Sequence, residues 1–229
     1  IRHGLAVDGN TFGLDVGTHR VVNLRTQEGC YIFDFQTPET TITNLKLPYP
    51  GHHNLMNASA ALALALEANC NPESLREALA TFMGVDRRFS VRMTSPKVLI
   101  DDYAHHPTEI NAVVDAIETF YPNKIKLGVF QPHLFSRTRD FEKGFKKALA
   151  RFDEVILLDI YPARELPIVG ITSHILIEKL HPNTALISKE ELYQKVANST
   201  AEVVAIMGAG DIAFEVSAIM QTLKNQAHE

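Results

Sequence analysis

A regular alternation of short apolar segments with helix-forming segments over residues 97–223 constrains the fold of this chain more than any other feature. Strands that alternate with helices build parallel sheets with helices on both faces. We therefore predict an α/β fold whose C-terminal part is a Rossmann-like, mostly parallel sheet. The five pairs are VLI with a helix over 107–120, KIKLGVF with 137–151, EVILLDI with 172–180, TALIS with 189–197 and EVVAIM with 211–223.

Residues 1–47 have a different pattern, in which apolar and polar residues alternate over four extended segments at 12–16, 19–25, 30–36 and 40–46. This pattern predicts an open antiparallel sheet. One face would be covered by the helices that follow, near Asn54 and from Asn71, or by sequence on the N-terminal side. The pattern changes within residues 84–89, GVDRRF, which we take as a charged hinge between one domain over 1–89 and another over 90–229.

The composition restricts the class of protein. The 229 residues, 45% of them hydrophobic, are enough for one large or two small globular domains. A net charge of −5 argues against nucleic acid as a partner. Two cysteines, no signal peptide and no apolar run of membrane-spanning length indicate a cytoplasmic protein that does not bind a membrane. Because the chain starts at Ile1 inside apparently continuous domain sequence, we expect a fragment of a longer chain.

The segment VLIDDYAHHPTEI, residues 98–110, places two carboxylates, a tyrosine and two histidines between a strand and a helix. Open α/β sheets bind ligands at this end of their strands, so the segment is a candidate site. Two simpler interpretations stay open: Asp101 pairs with a neighbouring cation, and His106 caps the helix that Pro107 begins. A zinc site is a further alternative, although adjacent histidines on an extended loop point apart and no CxxC or HExxH pattern supplies more ligands.

Two other segments carry candidate residues for binding a nucleotide. Asn54 and Asn57 lie three residues apart at a helix start, so both amides can face the same edge of a purine; helix capping is the alternative. The paired arginines of the 84–89 segment, Arg87 and Arg88, suit phosphate by their bidentate geometry, whereas the alternative is that they are simply solvated.

Three further loops, QPHLFSRTRD, DIYPARE and GAGD, follow later strands, and we expect them to fall on the same edge of the sheet as DDYAHH and to form a polar crevice with it. In QPHLFSRTRD, His133, Arg137 and Arg139 can present donors to a carboxylate or phosphate, or they form an exposed basic helix start. Gly208 and Gly210 make only half of a dinucleotide fingerprint, and we interpret GAGD as a tight turn capped by its aspartate.

Four motifs, GHHNLMNA, GVDRRF, DDYAHHPTEI and QPHLFSRTRD, in this order and at these separations, resemble the Mur ligase family over essentially the whole chain. The resemblance implies that residues 1–89 are the second half of the central ATP-binding domain and that 90–229 are the C-terminal domain. It also implies a cytoplasmic ligase of peptidoglycan synthesis that uses ATP. The motifs are most similar to those of the member that joins L-alanine to UDP-N-acetylmuramate through an acyl phosphate.

The resemblance also implies roles for particular residues. His53, Asn54 and Asn57 would contact the adenine. Arg88, in the hinge, would contact the nucleotide. Asp102 would bind the ribose hydroxyls, and Tyr103 and His105 would lie beside Asp102. His133 and Arg137 would hold the carboxylate of the amino acid or product. Leu134 stands where some relatives have arginine, so no contact is assigned to it.

One departure from the family is large, because the Gly-Lys-Thr or Gly-Lys-Ser phosphate loop is absent from this sequence. We expect that loop, the Mg²⁺ ligands and the UDP-binding domain to precede these residues. No catalytic residue or metal ligand is therefore assigned here, and the chain alone is expected to be inactive. The alternatives are a ligase that attaches recycled murein tripeptide to the same nucleotide sugar, a non-catalytic nucleotide-binding module, and a metal-dependent hydrolase using His105 and His106.

Overall fold

The computed structural model describes residues 9–27, 29–177, 180 and 183–226. The chain divides into two units, Ile1–Gly84 and Val85–Glu229. The division falls at the first residue of the 84–89 segment, where the sequence pattern changes. No helix among the described residues is long and apolar enough to cross a membrane.

The first unit contains a four-stranded sheet in the order β1-β2-β3-β4 and two helices. Its elements are β1 (Phe12–Leu14), β2 (His19–Gln27), β3 (Cys30–Gln36), β4 (Thr41–Leu47), α1 (His52–Glu67) and α2 (Pro72–Ala80). β2, β3 and β4 are antiparallel as predicted, but β1 runs parallel to β2, with Phe12 beside His19, so the prediction of a wholly antiparallel sheet was wrong. The loop between β1 and β2 contains Asp15 and Gly17 at positive φ, and it returns the chain to the start of β1 instead of forming a hairpin.

The core of the first unit lies between this sheet and its helices. Phe33 and Phe35 of the central strand β3 are fully buried. α1 packs against β1 and β2, and α2 packs against β4, so the expected covering of the sheet by the following helices is confirmed. α2 begins where its sequence predicts, because the Asn71 side chain accepts a hydrogen bond from Glu73 N at 2.8 Å and Pro72 occupies the first helical position.

The second unit is built on a six-stranded sheet in the order β5-β6-β10-β7-β8-β9. Its strands are β5 (Ser90–Met93), β6 (Val98–Asp102), β7 (Lys126–Phe130), β8 (Glu154–Leu157), β9 (Thr184–Leu186) and β10 (Val203–Met207). Its helices are α3 (Pro107–Phe120), α4 (Phe135–Asp140), α5 (Glu142–Leu149), α6 (His174–Ile177), α7 (Lys189–Asn198) and α8 (Val216–Gln226). All neighbouring strands are parallel except β5, which is antiparallel to β6, so the predicted α/β, mostly parallel sheet is confirmed.

Helices cover both faces of this sheet. On one face, alternate residues of β10 such as Val203 and Ala205 pack with apolar residues of α3, α5 and α6. On the other face, Val204 and Ile206 pack with apolar residues of α7 and α8. All five residues of β10 are therefore buried, which is the reason for its uninterrupted apolar sequence.

Several predicted element bounds differ from those observed. The helix predicted over 137–151 is two helices, α4 and α5, separated at Phe141. The helix predicted over 172–180 is observed only as α6, and its residues 178 and 179 lie outside the described part of the chain. The helix predicted over 211–223 starts as a 3-10 helix, Asp211–Glu215, before α8. The edge strand β5 was not predicted, because four residues are too few for a periodic pattern.

Candidate functional site

The carboxyl ends of four parallel strands bring most of the predicted site residues of the second unit to one edge of its sheet. Backbone hydrogen bonds join the neighbouring loops there: Gly208 N donates to Asp102 O at 3.2 Å and Gln131 N donates to Met207 O at 3.0 Å. The sheet edge is where doubly wound folds bind ligands. The loops at this edge are residues 103–106 after β6, 131–134 after β7, 158–165 after β8 and 208–210 after β10.

Asp102, the last residue of β6, is held by two backbone amides. Its Oδ2 accepts a hydrogen bond from Phe89 N at 2.6 Å, and its Oδ1 accepts one from Ala104 N at 2.7 Å. Burial raises the pKa of Asp102 to about 6, although the two amides oppose this rise; the negative charges of Glu109 and Asp101 add to it. Each carboxylate oxygen can accept a second hydrogen bond, so Asp102 remains able to bind a hydroxyl group.

Asp101 is 3% exposed and is neutralised by two arginines. Arg92 donates to its Oδ2 at 2.8 Å, and Arg87 Nε lies 3.5 Å from its Oδ1. The simpler interpretation of Asp101 as the partner of a neighbouring cation is therefore confirmed. Arg87 also donates to Gly208 O, so one guanidinium group connects the ends of β6 and β10.

A row of four rings lies along the sheet edge. The Tyr103 and His105 ring centroids are 5.2 Å apart at an interplanar angle of 82°, and the His105 and His133 centroids are 6.1 Å apart at 61°. The row ends with Tyr161, which stacks on His133 at 5.7 Å and 20°. The Arg87 guanidinium carbon lies 4.9 Å from the centroid of the Tyr103 ring, whose side chain is exposed. The structure thus brings together Tyr103, His105 and His133, as predicted from their strand positions.

His106 has a structural role. Its Nδ1 accepts a hydrogen bond from Thr108 N at 3.3 Å, and Glu109 Oε2 accepts from His106 N at 3.0 Å, which completes a capping box at the start of α3. Its ring packs on Phe141 with centroids 4.5 Å apart. His105 lies in the ring row instead, so the two histidines do not share a ligand site. Within the described ranges, no three His, Cys, Asp or Glu side chains gather as a metal site.

His133 and Arg137 lie one helical turn apart, where the loop after β7 enters α4. Arg137 Nη1 is 3.4 Å from His133 Nδ1. Burial lowers the pKa of His133, and the nearby Arg137 and His105 lower it further, so His133 is neutral at neutral pH. A donor facing Nδ1 favours the tautomer that carries its proton on Nε2. The pair thus offers two kinds of donor, a cationic guanidinium and a neutral N–H.

The two arginines of the 84–89 segment differ in their surroundings. Arg87 binds Asp101 and Gly208 O as described, whereas Arg88 is exposed, and its backbone N donates to Val85 O at 3.1 Å. The structural role of Arg87 was not predicted, because its partners are 14 and 121 residues away. Arg92, which pairs with Asp86 and Asp101, was not predicted either.

In the first unit, α1 begins at His52 with Gly51 as its N-cap residue, two residues earlier than expected. No side chain caps this helix, so the capping interpretation of the two asparagines was wrong. Asn54 instead donates a hydrogen bond from Nδ2 to Pro50 O at 2.6 Å. Its Oδ1 is an acceptor and does not take part in this bond. Asn57 and His53 are both exposed on the first turns of the helix.

The loop after β10 is fixed by a polar network that sequence reasoning missed. Gln131 Oε1 accepts from Ile212 N at 3.0 Å, and its Nε2 donates to Asp211 Oδ1 at 2.7 Å. Lys189 Nζ lies 2.5 Å from Asp211 Oδ2. Burial would raise the pKa of Asp211, but its bonds to Lys189 and Gln131 lower it. Asp211 therefore does not cap the turn as predicted, since its side chain binds Gln131, in the loop after β7, and Lys189.

These features define a doubly wound α/β domain with polar side chains gathered at the carboxyl edge of its sheet, where folds of this class bind ligands. Residues 87–212 match the model of the Mur ligase, glutamate ligase domain, family. The chain belongs to the Mur ligase family.

Three similar proteins illustrate the relationship. The chain is 51% identical over 230 residues to UDP-N-acetylmuramate--L-alanine ligase of Christiangramia forsetii, covering 99% of this chain and 51% of that protein. The crystal structure of UDP-N-acetylmuramate-alanine ligase from Thermotoga maritima is 28% identical, with a TM-score of 0.77, over 96% of this chain and 48% of that one. The MurF ligase from Thermotoga maritima in complex with ADP shares the fold, with a TM-score of 0.67 and 18% identity. The match covers 94% of this chain and 48% of that one. The chain thus spans about half the length of these relatives.

Proposed function

We propose that this chain is the part of an ATP-dependent UDP-N-acetylmuramate--L-alanine ligase that binds the nucleoside of ATP and the carboxylate of L-alanine. In the whole enzyme, a carboxylate oxygen of UDP-N-acetylmuramate attacks the γ-phosphorus of ATP, which releases ADP and forms an acyl phosphate. The amine of L-alanine then attacks the carbonyl carbon, phosphate leaves, and the amine loses a proton to give the amide. Two observations support this proposal. The chain is 51% identical to a ligase of that name, and His133, Arg137 and Asp102 lie at the sheet edge.

The pair His133 and Arg137 is the single observation that carries the amino acid side of the proposal. The planar guanidinium of Arg137 matches a carboxylate in bidentate geometry, and the neutral His133 adds a donor at Nε2. Holding the amino acid by its carboxylate leaves its amine free to act as the nucleophile. Positioning of this kind supplies much of the catalysis in such a reaction.

On the nucleotide side, Asp102 would accept hydrogen bonds from the ribose hydroxyls through the lone pairs that Phe89 and Ala104 leave unused. Tyr103 and His105 would line this part of the site, and the exposed Arg88 would bind phosphate oxygen.

The adenine would bind at α1 of the first unit, in an orientation set by amides. With its Nδ2 bonded to Pro50 O, Asn54 offers Oδ1 to the exocyclic amine of adenine, while Asn57 and His53 on the same turns supply further donors and acceptors.

The resemblance also implies Mg²⁺. Among the residues that the structure describes, no three candidate metal ligands come together. No step is assigned to a metal held by this chain.

The test is product analysis by mass spectrometry of the full-length protein with ATP, Mg²⁺ and UDP-N-acetylmuramate. L-alanine, glycine and murein tripeptide are offered together as acceptors. We expect the L-alanine product to predominate and to form with one ADP per amide. Predominant tripeptide transfer would show the related recycling ligase instead, and nucleotide binding without any product would show a non-catalytic module.

A further inference from the structure

The helix α4, which carries Arg137, has no cap in its own sequence. Its N-cap residue is Leu134, which has no polar side chain to satisfy the first N–H groups of the helix. Leu134 also has φ 71 and ψ 133, a conformation that is rare for a residue with a Cβ atom. The surrounding structure must therefore hold this helix start in place.

Glu165, from the loop after β8, supplies the missing cap. Its Oε2 accepts a hydrogen bond from Ser136 N at 2.9 Å, and its Oε1 accepts one from the Ser136 hydroxyl group. These bonds to Ser136 lower the pKa of Glu165, so the cap is a carboxylate at neutral pH. An anion at this end of a helix also interacts favourably with the helix dipole.

The same loop holds the residues before α4 by a second set of bonds. Leu134 N donates to Tyr161 O at 2.9 Å, and Tyr161 N donates to Pro132 O at 2.8 Å. The Tyr161 ring stacks on His133. The loop is thus hydrogen-bonded to the 132–136 segment at two points, through the backbone of Tyr161 and through the carboxylate of Glu165.

We propose that Glu165 is a positioning residue for the amino acid carboxylate, because it caps α4 from a remote loop and so fixes Arg137 relative to His133. This inference rests on the proposed function of those two residues. Glu165 itself does not contact the substrate. Its carboxylate already occupies the N–H groups at the start of α4, which leaves Arg137 and His133 as the donors for an incoming carboxylate.

The charge of Glu165 gives the proposal a second, independent readout. The charged or titratable groups around His133 are Arg137, His105, Glu165 and the phenol of Tyr161. Arg137 and His105 lower the pKa of His133, whereas Glu165 raises it. Replacement of Glu165 by glutamine should therefore lower the pKa of His133, a change that a loss of stability elsewhere would not cause.

The kinetic test compares Glu165→Gln with the wild type in the full-length ligase. Glutamine has a single acceptor oxygen and no charge, so we expect a KM for L-alanine raised roughly tenfold, the size of a lost helix cap, with kcat and the KM for ATP within about twofold. The matched control is Glu202→Gln, which removes an exposed carboxylate that likewise accepts a backbone N–H and pairs with Lys124. We expect wild-type kinetics for the control.

The second arm uses nuclear magnetic resonance on the 229-residue chain to follow the ring proton of His133, assigned by its loss in His133→Gln. A lower pKa in Glu165→Gln, but not in Glu202→Gln, supports the proposal. An unchanged KM for L-alanine in an active Glu165→Gln ligase overturns the proposal, and so does an unchanged pKa of His133.

If Glu165→Gln does not fold, Ser136→Ala removes only the hydroxyl donor and should raise the KM for L-alanine about threefold. An unaltered KM in Ser136→Ala overturns the proposal too. A wild-type ligase without L-alanine-dependent turnover would instead contradict the proposed function.

Discussion

Asp102 should make folding less favourable as the pH rises, which is opposite to the effect of most paired carboxylates. Burial raises its pKa from 3.8 to about 6, against the opposing effect of two backbone amides. A carboxyl group whose pKa is raised by folding stabilises the folded state in its protonated form. This contribution is therefore fully present below about pH 4 and is lost as the pH rises through about 6.

The size of the effect follows from the same pKa values. The rise from 3.8 to about 6 corresponds, at about 1.4 kcal/mol per pKa unit, to at most about 3 kcal/mol in the free energy of unfolding. The variant Asp102→Asn cannot titrate, and the altered hydrogen bonds of asparagine add an offset that does not depend on pH. The free energy of unfolding of the variant minus that of the wild type should therefore increase between pH 4 and pH 7 by up to that amount.

The assay is urea unfolding of the 229-residue chain and of Asp102→Asn, followed by far-ultraviolet circular dichroism at intervals across this pH range. Other carboxylates titrate in both proteins, so their contributions cancel in the difference. A difference that stays flat, or that falls with pH, would show that burial does not outweigh the two amides at Asp102.

Three further outcomes are expected. Gly210→Ala would place a Cβ atom 2.5 Å from Gln131 Oε1 and 2.7 Å from the Tyr161 ring, so urea titration should show a loss of about 1–3 kcal/mol; an unchanged midpoint would contradict this crowding. Gly84→Ala combines φ +79 with a Cβ atom 1.7 Å from Tyr49, and hydrogen exchange should show the first unit loosened more than the second. The 229-residue chain with ATP, Mg²⁺, UDP-N-acetylmuramate and L-alanine should release no phosphate, because its sequence lacks the phosphate loop; turnover at the full-length rate would show that loop to be dispensable.

Local signals in the sequence predicted the elements that local physics determines. α3 spans Pro107–Phe120 as predicted, because Pro107 fits the first helical position, Glu109 joins the capping box, and apolar residues recur along one face. β10 was predicted because a strand buried on both faces must be apolar throughout. The gathering of Tyr103, His105 and His133 followed from the rule that parallel strands end at one edge.

The features that depend on contacts between distant residues were not predictable from one sequence. The sequence around Gln131 does not indicate its hydrogen bonds to Asp211 and Ile212, which lie 80 and 81 residues away along the chain. The cap of α4 by Glu165 crosses 29 residues and replaces a local cap that the sequence around Leu134 lacks. The parallel pairing of β1 with β2 depended on the positive φ of loop residues, which alternation of apolar residues does not encode.

Binding of the L-alanine carboxylate by His133 and Arg137 can be measured with Arg137→Lys in the full-length enzyme. Lysine keeps the charge but loses the planar fork, so one charge-assisted hydrogen bond is lost, and we expect the KM for L-alanine to rise roughly tenfold to a hundredfold. The matched control is Arg139→Lys on the same helix, where Arg139 is exposed and pairs with Asp140. Binding of the carboxylate by this pair requires a raised KM for L-alanine only in Arg137→Lys, with the KM for ATP nearly unchanged. Equal increases in both KM values, or an unaltered KM for L-alanine, would contradict it.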